Sequence, residues 1–291
     1  MRHPLVNAFS IDVEEYFQVS AFEAHIARDA WARWPSRVEF ATHRILDALG
    51  RHGIKATFFT LGWIAERAPV LLRRMVAEGH ELACHGYDHT RIHQQDATAF
   101  RADLARSKGI LEDTAGMAVT GYRAASFSID ARNLWAFTEI ENAGFEYSSS
   151  IYPVVHDLYG MPDAPRQPFR APNTARLAEI PVTTARFGSR NLPAGGGGYF
   201  RLFPYWWSRT LLRRVNVGEG LKANMYFHPW EFDPDQPRPQ GLSLKTRFRH
   251  YVNQSRMIGR LERLFTDFAW GPFREVYADD IGRIRRGAAG G

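Results

Sequence analysis

The order of strands and helices begins with residues 7–14, which read NAFSIDVE. Large apolar residues alternate there with small or acidic ones, and a period of two is typical of a β-strand. A helical pattern follows over 38–49, where Val38, Ala41, Ile45 and Leu49 share one face. A second strand is predicted over 56–61, which reads ATFFTL. These segments form the first βα unit of a sheet.

The same order recurs along the next 170 residues or so. Further strands are predicted at 81–85, 119–124, 145–151, 178–183 and 224–228. Further helices are predicted at 69–79, 96–113 and 131–143. Seven strands that mostly precede helices indicate a parallel sheet, and that number favours a closed or nearly closed barrel. An open doubly wound sheet is the alternative.

The remaining segments predict a domain division. Residues 150–193 are rich in proline and lack clear periodicity, so we expect long loops there. A long helical pattern over 242–268 follows the last strand and reads as a C-terminal appendage. We therefore expect a barrel over 1–235 and a helical extension over 236–291 that packs on it and ends in a disordered Gly-Ala-Ala-Gly-Gly tail.

Composition excludes several classes of protein. The chain has 291 residues, 45% of them apolar and 23% charged, which is typical of a globular protein. The one cysteine excludes a disulfide framework and a cysteine-based zinc cluster. No apolar run reaches the roughly 18 residues of a membrane helix. The first residues lack the apolar core of a signal peptide, so we expect a cytoplasmic protein.

The net charge is +6, and arginine pairs such as Arg213-Arg214 contribute to it. Solvated helix faces explain such pairs, and an anionic or membrane-surface partner is the alternative. No basic cluster is long enough to indicate nucleic-acid binding.

Polar residues follow several predicted strands, at the edge where parallel barrels carry reactive groups. Strand one ends in Asp-Val-Glu-Glu at 12–15, and strand three leads into His-Gly-Tyr-Asp-His at 85–89. Tyr122-Arg123 and His228-Pro229-Trp230-Glu231 follow two other strands. Two imidazoles and a carboxylate are a common set of catalytic metal ligands, so these ends predict a hydrolytic metal site. A second carboxylate, off the metal, would serve as general base.

Alternation separates the acids of strand one. Asp12 and Glu14 share a face of the strand, whereas Glu15 faces away and is interpreted as structural. His93 extends the histidine spacing but lies further along the connection, so we interpret it as a bystander. Cys84 should point into the core because it alternates with His85.

These motifs resemble the polysaccharide deacetylase family, the NodB-homology group also called carbohydrate esterase family 4. The stretches SIDVEEYFQ at 10–18 and HPWEFDP at 228–234 look closest to a branch associated with exosortase-type exopolysaccharide systems. The resemblance covers about residues 5–235. It implies a distorted (β/α)7 barrel and a divalent metal, most often Zn²⁺, held by one acid and two histidines.

The resemblance implies a role for each matching residue. Asp12 matches the general base, and Glu14 falls on the metal-binding acid, where relatives commonly have aspartate. His85 and His89 match the metal-binding histidines.

Three further positions match later motifs. Arg123 matches the arginine that orients the base, and His228 matches the general acid. The backbone near Ser126 is expected to complete the oxyanion site.

One position departs from the family pattern. The fourth motif usually supplies an aspartate that supports the catalytic histidine, and Ser148 stands where we expect it. A carboxylate there would raise the pKa of His228 and keep it protonated. Glu231 is a candidate substitute beyond a turn.

Glycines and aromatic residues suggest substrate contacts. The run Gly195–198 lacks the Gly-Lys-Ser/Thr sequence of a phosphate loop. We interpret it as a tight or mobile turn that leads into Tyr199. The alternative is a loop that covers the substrate. Trp230, two residues after His228, is the best candidate for stacking on a sugar.

The resemblance implies a hydrolase that removes N-acetyl or O-acetyl groups from a polysaccharide or its lipid-linked precursor in exopolysaccharide biosynthesis. The expected partner is an acetylated glycan or lipid-linked oligosaccharide, with peripheral association with a membrane. Two alternatives stay open at this point. One is an amidase acting on a small non-sugar amide, and the other is a weakly active or non-catalytic glycan-binding member, suggested by Ser148.

Overall fold

A computed structural model describes residues 5–156 and 160–287. The strands are β1 (Val6–Val13), β2 (Thr57–Thr60), β3 (Glu81–Cys84), β4 (Gly121–Tyr122), β5 (Tyr147–Ser148), β6 (Phe169–Arg170), β7 (Ala178–Glu179), β8 (Thr184–Phe187), β9 (Arg190–Pro193), β10 (Asn224–Phe227) and β11 (Ala269–Gly271). The α-helices are α1 (Val38–Arg51), α2 (Gly62–Arg67), α3 (Pro69–Ala77), α4 (Ala97–Ala115), α5 (Trp135–Asn142), α6 (Gly197–Leu202), α7 (Tyr205–Arg213), α8 (Leu244–Tyr251), α9 (Met257–Asp267), α10 (Phe273–Val276) and α11 (Ala278–Gly287).

Seven of the strands form a parallel sheet in the order β10-β1-β2-β3-β4-β5-β7, which confirms the predicted βα order. The sheet curls into a half-barrel, as expected for a distorted (β/α)7 barrel. Within the described residues no ladder joins β7 to β10. Single hydrogen bonds cross this gap instead, from the Thr183 N–H to the Asn224 carbonyl and from the Tyr226 N–H to the Gly195 carbonyl.

Strand β1 is buried on both faces, and each face meets a different environment. Phe9, Ile11 and Val13 pack into the main core between the sheet and its surrounding helices. On the other face, Ser10 and Asp12 are buried among polar groups of the barrel interior. The alternation that predicted a strand therefore separates an apolar outer core from a polar interior.

The segment predicted as long loops contains secondary structure. Strand β6 pairs antiparallel with β7, and β8 and β9 form an antiparallel hairpin. The expectation of loops over 150–193 is thus wrong for these strands. They are two to four residues long, which is too short for periodicity to reveal.

The C-terminal residues form part of the sheet and core as well as packing on them. Strand β11 pairs in parallel with Val6–Ala8 of β1, and Trp270 contacts Phe9 edge-to-face at 5.8 Å. The helical pattern over 242–268 is two helices, because Asn253 between them has a left-handed backbone (φ 57°). The expected disordered tail lies mostly outside the described residues, since 288–291 are not described.

Glu81 anchors this extension across the base of the barrel. Its carboxylate accepts hydrogen bonds from the hydroxyls of Thr57 and Tyr147 and from the Arg274 N–H, at 2.6, 2.9 and 3.0 Å. Phe273 stacks on Tyr147 at 5.7 Å. The extension therefore closes the amino-terminal end of the barrel and leaves the carboxyl ends of the strands open. None of the described helices has the length and hydropathy to cross a bilayer.

Candidate active site

Three buried metal-ligating side chains meet at the carboxyl edge of the sheet. Glu14 directly follows β1, His85 directly follows β3, and His89 lies four residues further on. One ligand atom from each lies within 4.8 Å of the other two. The structure thus brings together the three residues predicted as metal ligands.

The orientation of the two imidazoles follows from their other contacts. His85 donates from Nδ1 to the Arg123 carbonyl at 2.8 Å, which leaves its Nε2 as the free lone pair. Burial lowers the pKa of His85 to about 4, so the ring is neutral at pH 7. His89 has a left-handed backbone (φ 59°), and its Nε2 lies 3.0 Å from Glu14 Oε2. Glu14 Oε2 is buried, and this His89 nitrogen is a close polar neighbour of it.

Asp12 lies beside this group in a buried ion pair. Arg123 Nη1 donates to Asp12 Oδ1 at 2.5 Å and to Ser10 Oγ at 2.9 Å. The same guanidinium also donates to the carbonyl and hydroxyl of Ser149, both at 3.1 Å. A guanidinium held at several points fixes the carboxylate that it binds, so Arg123 sets the position of Asp12.

His228 faces the two acids from β10. Its Nε2 lies 4.0 Å from Asp12 Oδ2 and 3.7 Å from Glu14 Oε1, and its Nδ1 lies 3.4 Å from Glu231 Oε2. Burial alone would lower the pKa of His228. The hydrogen bond to Glu231 and the charges of Glu14 and Asp12 outweigh burial and raise the pKa to about 9.

Glu231 is therefore the carboxylate beside His228 that the sequence left unassigned. It accepts the backbone N–H of His228 at 3.0 Å as well as contacting the ring. Ser148, at the position of the expected motif aspartate, is buried and pairs with the Ser150 hydroxyl at 2.8 Å. A carboxylate does contact His228, and it comes from the turn after β10 rather than from β5.

A buried arginine that the sequence did not reveal holds Glu231 in turn. Arg201 Nε donates to Glu231 Oε1 at 2.8 Å. Its Nη1 donates to the carbonyls of Arg249 and His250 at 3.1 and 2.7 Å. Arg201 lies in α6, and the two carbonyls lie in α8 of the C-terminal extension. The extension therefore supports His228 indirectly, through Arg201 and Glu231. The sequence signal was an arginine three residues after the glycine run. Its burial, which is rare for arginine, is visible only in the structure.

The glycine run has a structural reason. A Cβ at Gly197 would lie 2.0 Å from Glu231 Oε2, and one at Gly195 would lie 2.4 Å from the Asn224 carbonyl. Only glycine permits these approaches. The glycines therefore allow the start of α6 to pack closely against β10 and the turn that carries Glu231.

Trp230 is part of the buried wall of the site. Its Nε1 donates to Glu14 Oε1 at 3.0 Å, and it is 9% exposed. The indole stacks with His228 at 5.0 Å and with His250 at 4.3 Å. It orients Glu14 and His228, and its contact with a sugar stays a prediction.

The site opens into a cleft of about 220 Å³. Ser126 lines this cleft with a left-handed backbone (φ 51°), and its hydroxyl pairs with that of Ser20 at 2.7 Å. Strained backbone of this kind is concentrated at functional sites. Tyr199 does not line this cleft but a neighbouring cavity of about 210 Å³ that shares Tyr226 with it. The substrate contacts of Ser126 and Tyr199 stay predictions.

The residues interpreted as bystanders lie apart from the metal-ligating group. Glu15 points away and accepts the Arg37 N–H at 3.0 Å. His93 is not among the residues that line the cleft. Cys84 is fully buried in the outer core, and burial raises the pKa of its thiol far above the usual value.

Comparison with known families divides the chain in two. Residues 31–147 match the polysaccharide deacetylase family. These residues form a polysaccharide deacetylase domain. Residues 149–278 match a domain of unknown function, DUF3473, which contributes β10, Glu231 and the extension to the structure. The second region carries His228, so the candidate site takes residues from both matched regions.

Curated relatives are similar to parts of this chain. A chitooligosaccharide deacetylase from a Bradyrhizobium species is 31% identical over 145 residues, covering 41% of this chain and 66% of the relative. A peptidoglycan-N-acetylglucosamine deacetylase from Bacillus cereus is 38% identical over 77 residues, covering 26% and 28%. The chain thus spans less than two thirds of the length of these relatives.

Solved structures support the same fold for this chain. A Mycobacterium smegmatis structure assigned to the polysaccharide deacetylases superposes with a TM-score of 0.60 at 17% identity, covering 99% of this chain and 93% of the other. A CE4 family pseudoenzyme from Bacillus anthracis gives a TM-score of 0.50 at 12% identity, covering 94% and 66%. At these identities the likeness concerns the fold alone.

Proposed function

We propose that the protein is a metal-dependent hydrolase that removes N-acetyl groups from a glycan. The observation that carries this proposal is the meeting of Glu14, His85 and His89 in one cleft with the Asp12–Arg123 pair. The two curated relatives, which are named as deacetylases of chitooligosaccharides and of peptidoglycan N-acetylglucosamine, support the class of substrate.

The three clustered side chains fit a divalent metal, and Zn²⁺ is our proposed ion. Two imidazole nitrogens and a carboxylate oxygen are ligands that Zn²⁺ accepts. The neutral ring of His85 and the buried Glu14 carboxylate, which faces His89 Nε2 at 3.0 Å, are the features expected of residues that hold a cation. A bound Zn²⁺ would polarise the acetyl carbonyl and make water more acidic.

Asp12 is suited to remove a proton from the attacking water. It lies beside the ligand group but is not part of it, and Arg123 keeps its carboxylate in place. The Ser126 backbone on the cleft wall is the proposed donor to the developing oxyanion.

His228 is suited to give a proton to the departing amine. Its Nε2 faces the cleft, while Glu231 on its Nδ1 stabilises the charged ring. Ser148 suggested non-catalytic glycan binding because it cannot supply a carboxylate to His228. Glu231 contacts His228 and supplies that carboxylate, so Ser148 is no longer a reason to expect an inactive protein. We therefore propose an active enzyme.

The finer substrate follows from the family resemblance and is proposed with it. We propose an acetylated polysaccharide or its lipid-linked precursor in exopolysaccharide biosynthesis, with peripheral membrane association for the lipid-linked form. A cytoplasmic location stays a prediction.

The test compares acetate release and metal content in Asp12→Asn and His85→Ala. On N-acetylglucosamine oligomers, Asp12→Asn should lower kcat by roughly 10²–10⁴-fold while retaining the metal. His85→Ala should lose both metal and activity, because two protein ligands bind the ion more weakly than three. Glu15→Gln, one residue beyond Glu14 and facing away, is the control and should keep both.

Three results would count against the proposal. They are full activity of Asp12→Asn, unchanged metal content of His85→Ala, and turnover of small non-sugar amides with none of acetylated glycans. The last would favour the amidase.

A further inference from the structure

Positive charge is concentrated in two segments of the chain. Residues 197–218 and 236–261 hold ten of the 37 basic residues and none of the 31 acidic ones. The rest of the chain has 27 basic against 31 acidic residues, so the net positive charge of the protein comes from these two segments. They are in contact, since Arg201 of α6 binds carbonyls of α8.

The second segment keeps its charge unneutralised. In the first segment Arg201, Arg209 and Arg214 pair with acids. In the second, none of the six basic side chains has an acidic partner within 4.0 Å among residues 5–156 and 160–287. These six are Arg238, Lys245, Arg247, Arg249, Arg256 and Arg260, of which Arg260 donates to the carbonyls of Phe200 and Arg201. Three of them lie on α8, which is eight residues long and has no acid.

Exposed apolar side chains lie in the same two segments. Six of the eleven large apolar residues that are exposed in the described structure belong to them, namely Leu202, Phe203, Trp206, Val217, Leu244 and Phe248. Leu244 is 82% and Phe248 58% exposed. They are four residues apart on α8 and share one face, and the buried His250 lies roughly 120–160° around the helix from them. Helix α8 thus presents an apolar stripe flanked by cations, directed away from the barrel.

We propose that the outward face of α8, with Leu202 of α6 beside it, docks on an anionic lipid bilayer. We call this face, made of Leu202, Leu244, Lys245, Arg247, Phe248 and Arg249, the α8 surface. Apolar side chains between arginines and lysines are the composition of helices that lie in a bilayer interface, where cations attract anionic headgroups. Leu202 and Arg249 line the cavity that shares Tyr226 with the catalytic cleft, so docking would bring the cleft near the membrane.

Two other occupants fit the α8 surface less well. A second copy of the chain, packed by twofold symmetry, would place the unpaired cations of one α8 against those of the other. A polyanion would match the charge but would leave Leu244 and Phe248 exposed to water. Of these three occupants, only the bilayer offers both anionic headgroups for the cations and an apolar interior for Leu244 and Phe248. This inference does not depend on the proposed hydrolysis.

The test is co-sedimentation of the full chain with vesicles of phosphatidylcholine, with or without one quarter phosphatidylglycerol. The wild type should bind the anionic vesicles at least roughly 10-fold more than the neutral ones. The double variants Leu244→Ser/Phe248→Ser and Lys245→Glu/Arg247→Glu should each lose at least roughly 10-fold of that binding. The matched control is Val70→Ser/Arg73→Glu on the exposed face of α3, which should bind as the wild type does.

Every variant should melt at the wild-type temperature and keep wild-type activity on soluble oligosaccharides, which separates docking from folding and catalysis. Absence of binding to anionic vesicles overturns the proposal, and so does equal loss in the α3 control. Loss in the charge variant alone indicates a polyanion site instead. A dimer that Leu244→Ser/Phe248→Ser dissociates indicates a second copy.

Discussion

At the scale of single residues, the proposed catalytic site depends on two buried arginines that hold its carboxylates. Asp12 is placed by Arg123, and Glu231 by Arg201. Both arginines are almost fully buried and ion-paired. Breaking a buried pair leaves an uncompensated charge, so these positions tolerate little change.

Glu179 gives a prediction for stability against pH. Its carboxylate accepts the N–H groups of Ser150 and Ile151, both at 2.8 Å, and burial raises its pKa to about 7 from 4.5. The folded state then holds a proton that the unfolded state releases, so stability falls as pH rises from about 4.5 to about 7. The total loss is at most roughly 3 kcal/mol.

Glu179→Gln keeps the acceptor oxygen but cannot ionise. We expect it to match the wild type at pH 5 and to be more stable at pH 8, measured by urea denaturation. Glu141→Gln is the control, because Glu141 also accepts loop N–H groups but is only partly buried. A wild-type slope that persists in Glu179→Gln would contradict the assignment.

At the scale of elements, the contact between α6 and the turn after β10 fixes the position of Glu231. Gly197 begins α6 and lies against the Glu231 carboxylate, while Arg201 one turn later binds the same group. One short helix therefore both approaches and holds the carboxylate that supports His228.

Gly197→Ala should displace that carboxylate. The added methyl would lie 2.0 Å from Glu231 Oε2, so the acid must shift and the support of His228 weakens. We expect kcat to fall at least roughly 10-fold with little change in KM, measured as acetate release. In the control Gly198→Ala the methyl meets no atom within 4 Å. Equal kcat in the two variants would contradict this geometry.

The elements also show which parts of the structure the sequence predicts. Seven parallel strands follow from local alternation, and the meeting of Glu14, His85 and His89 follows from the rule that strand ends converge. Strands such as β8 and β11 were missed because they are short and are defined by distant pairing. Arg201 was missed because its partner is 30 residues away in sequence. Periodicity reports local structure, whereas these contacts depend on tertiary packing.

At the scale of the whole molecule, the extension belongs to the same core as the barrel. Leu261, Leu264 and Phe265 of α9 are buried in the main core together with Trp270 of β11. Burial of each such side chain is worth about 1.5–3 kcal/mol. Their sum is comparable to the roughly 5–15 kcal/mol that stabilise a typical domain.

A chain that ends at residue 235 should therefore fail to fold. We expect an insoluble or non-cooperative fragment by circular dichroism and thermal melting, because Phe9 loses its contact with Trp270 and β1 loses its pairing with β11. A chain that ends at Gly287 retains every described C-terminal element and should melt like the full chain. A 1–235 fragment that melts cooperatively would instead support the predicted division at residue 235.

The pairing of β1 with β10 and β11 also matters while the chain is being made. The ribosome releases β1 first, and roughly 200 residues separate it from β10. At about 5–20 residues per second, the nascent strand waits roughly 10–40 s for that neighbour. Throughout that interval an apolar edge is available for aggregation, so biosynthesis of this protein should call on chaperones that shield the amino-terminal strand until translation ends.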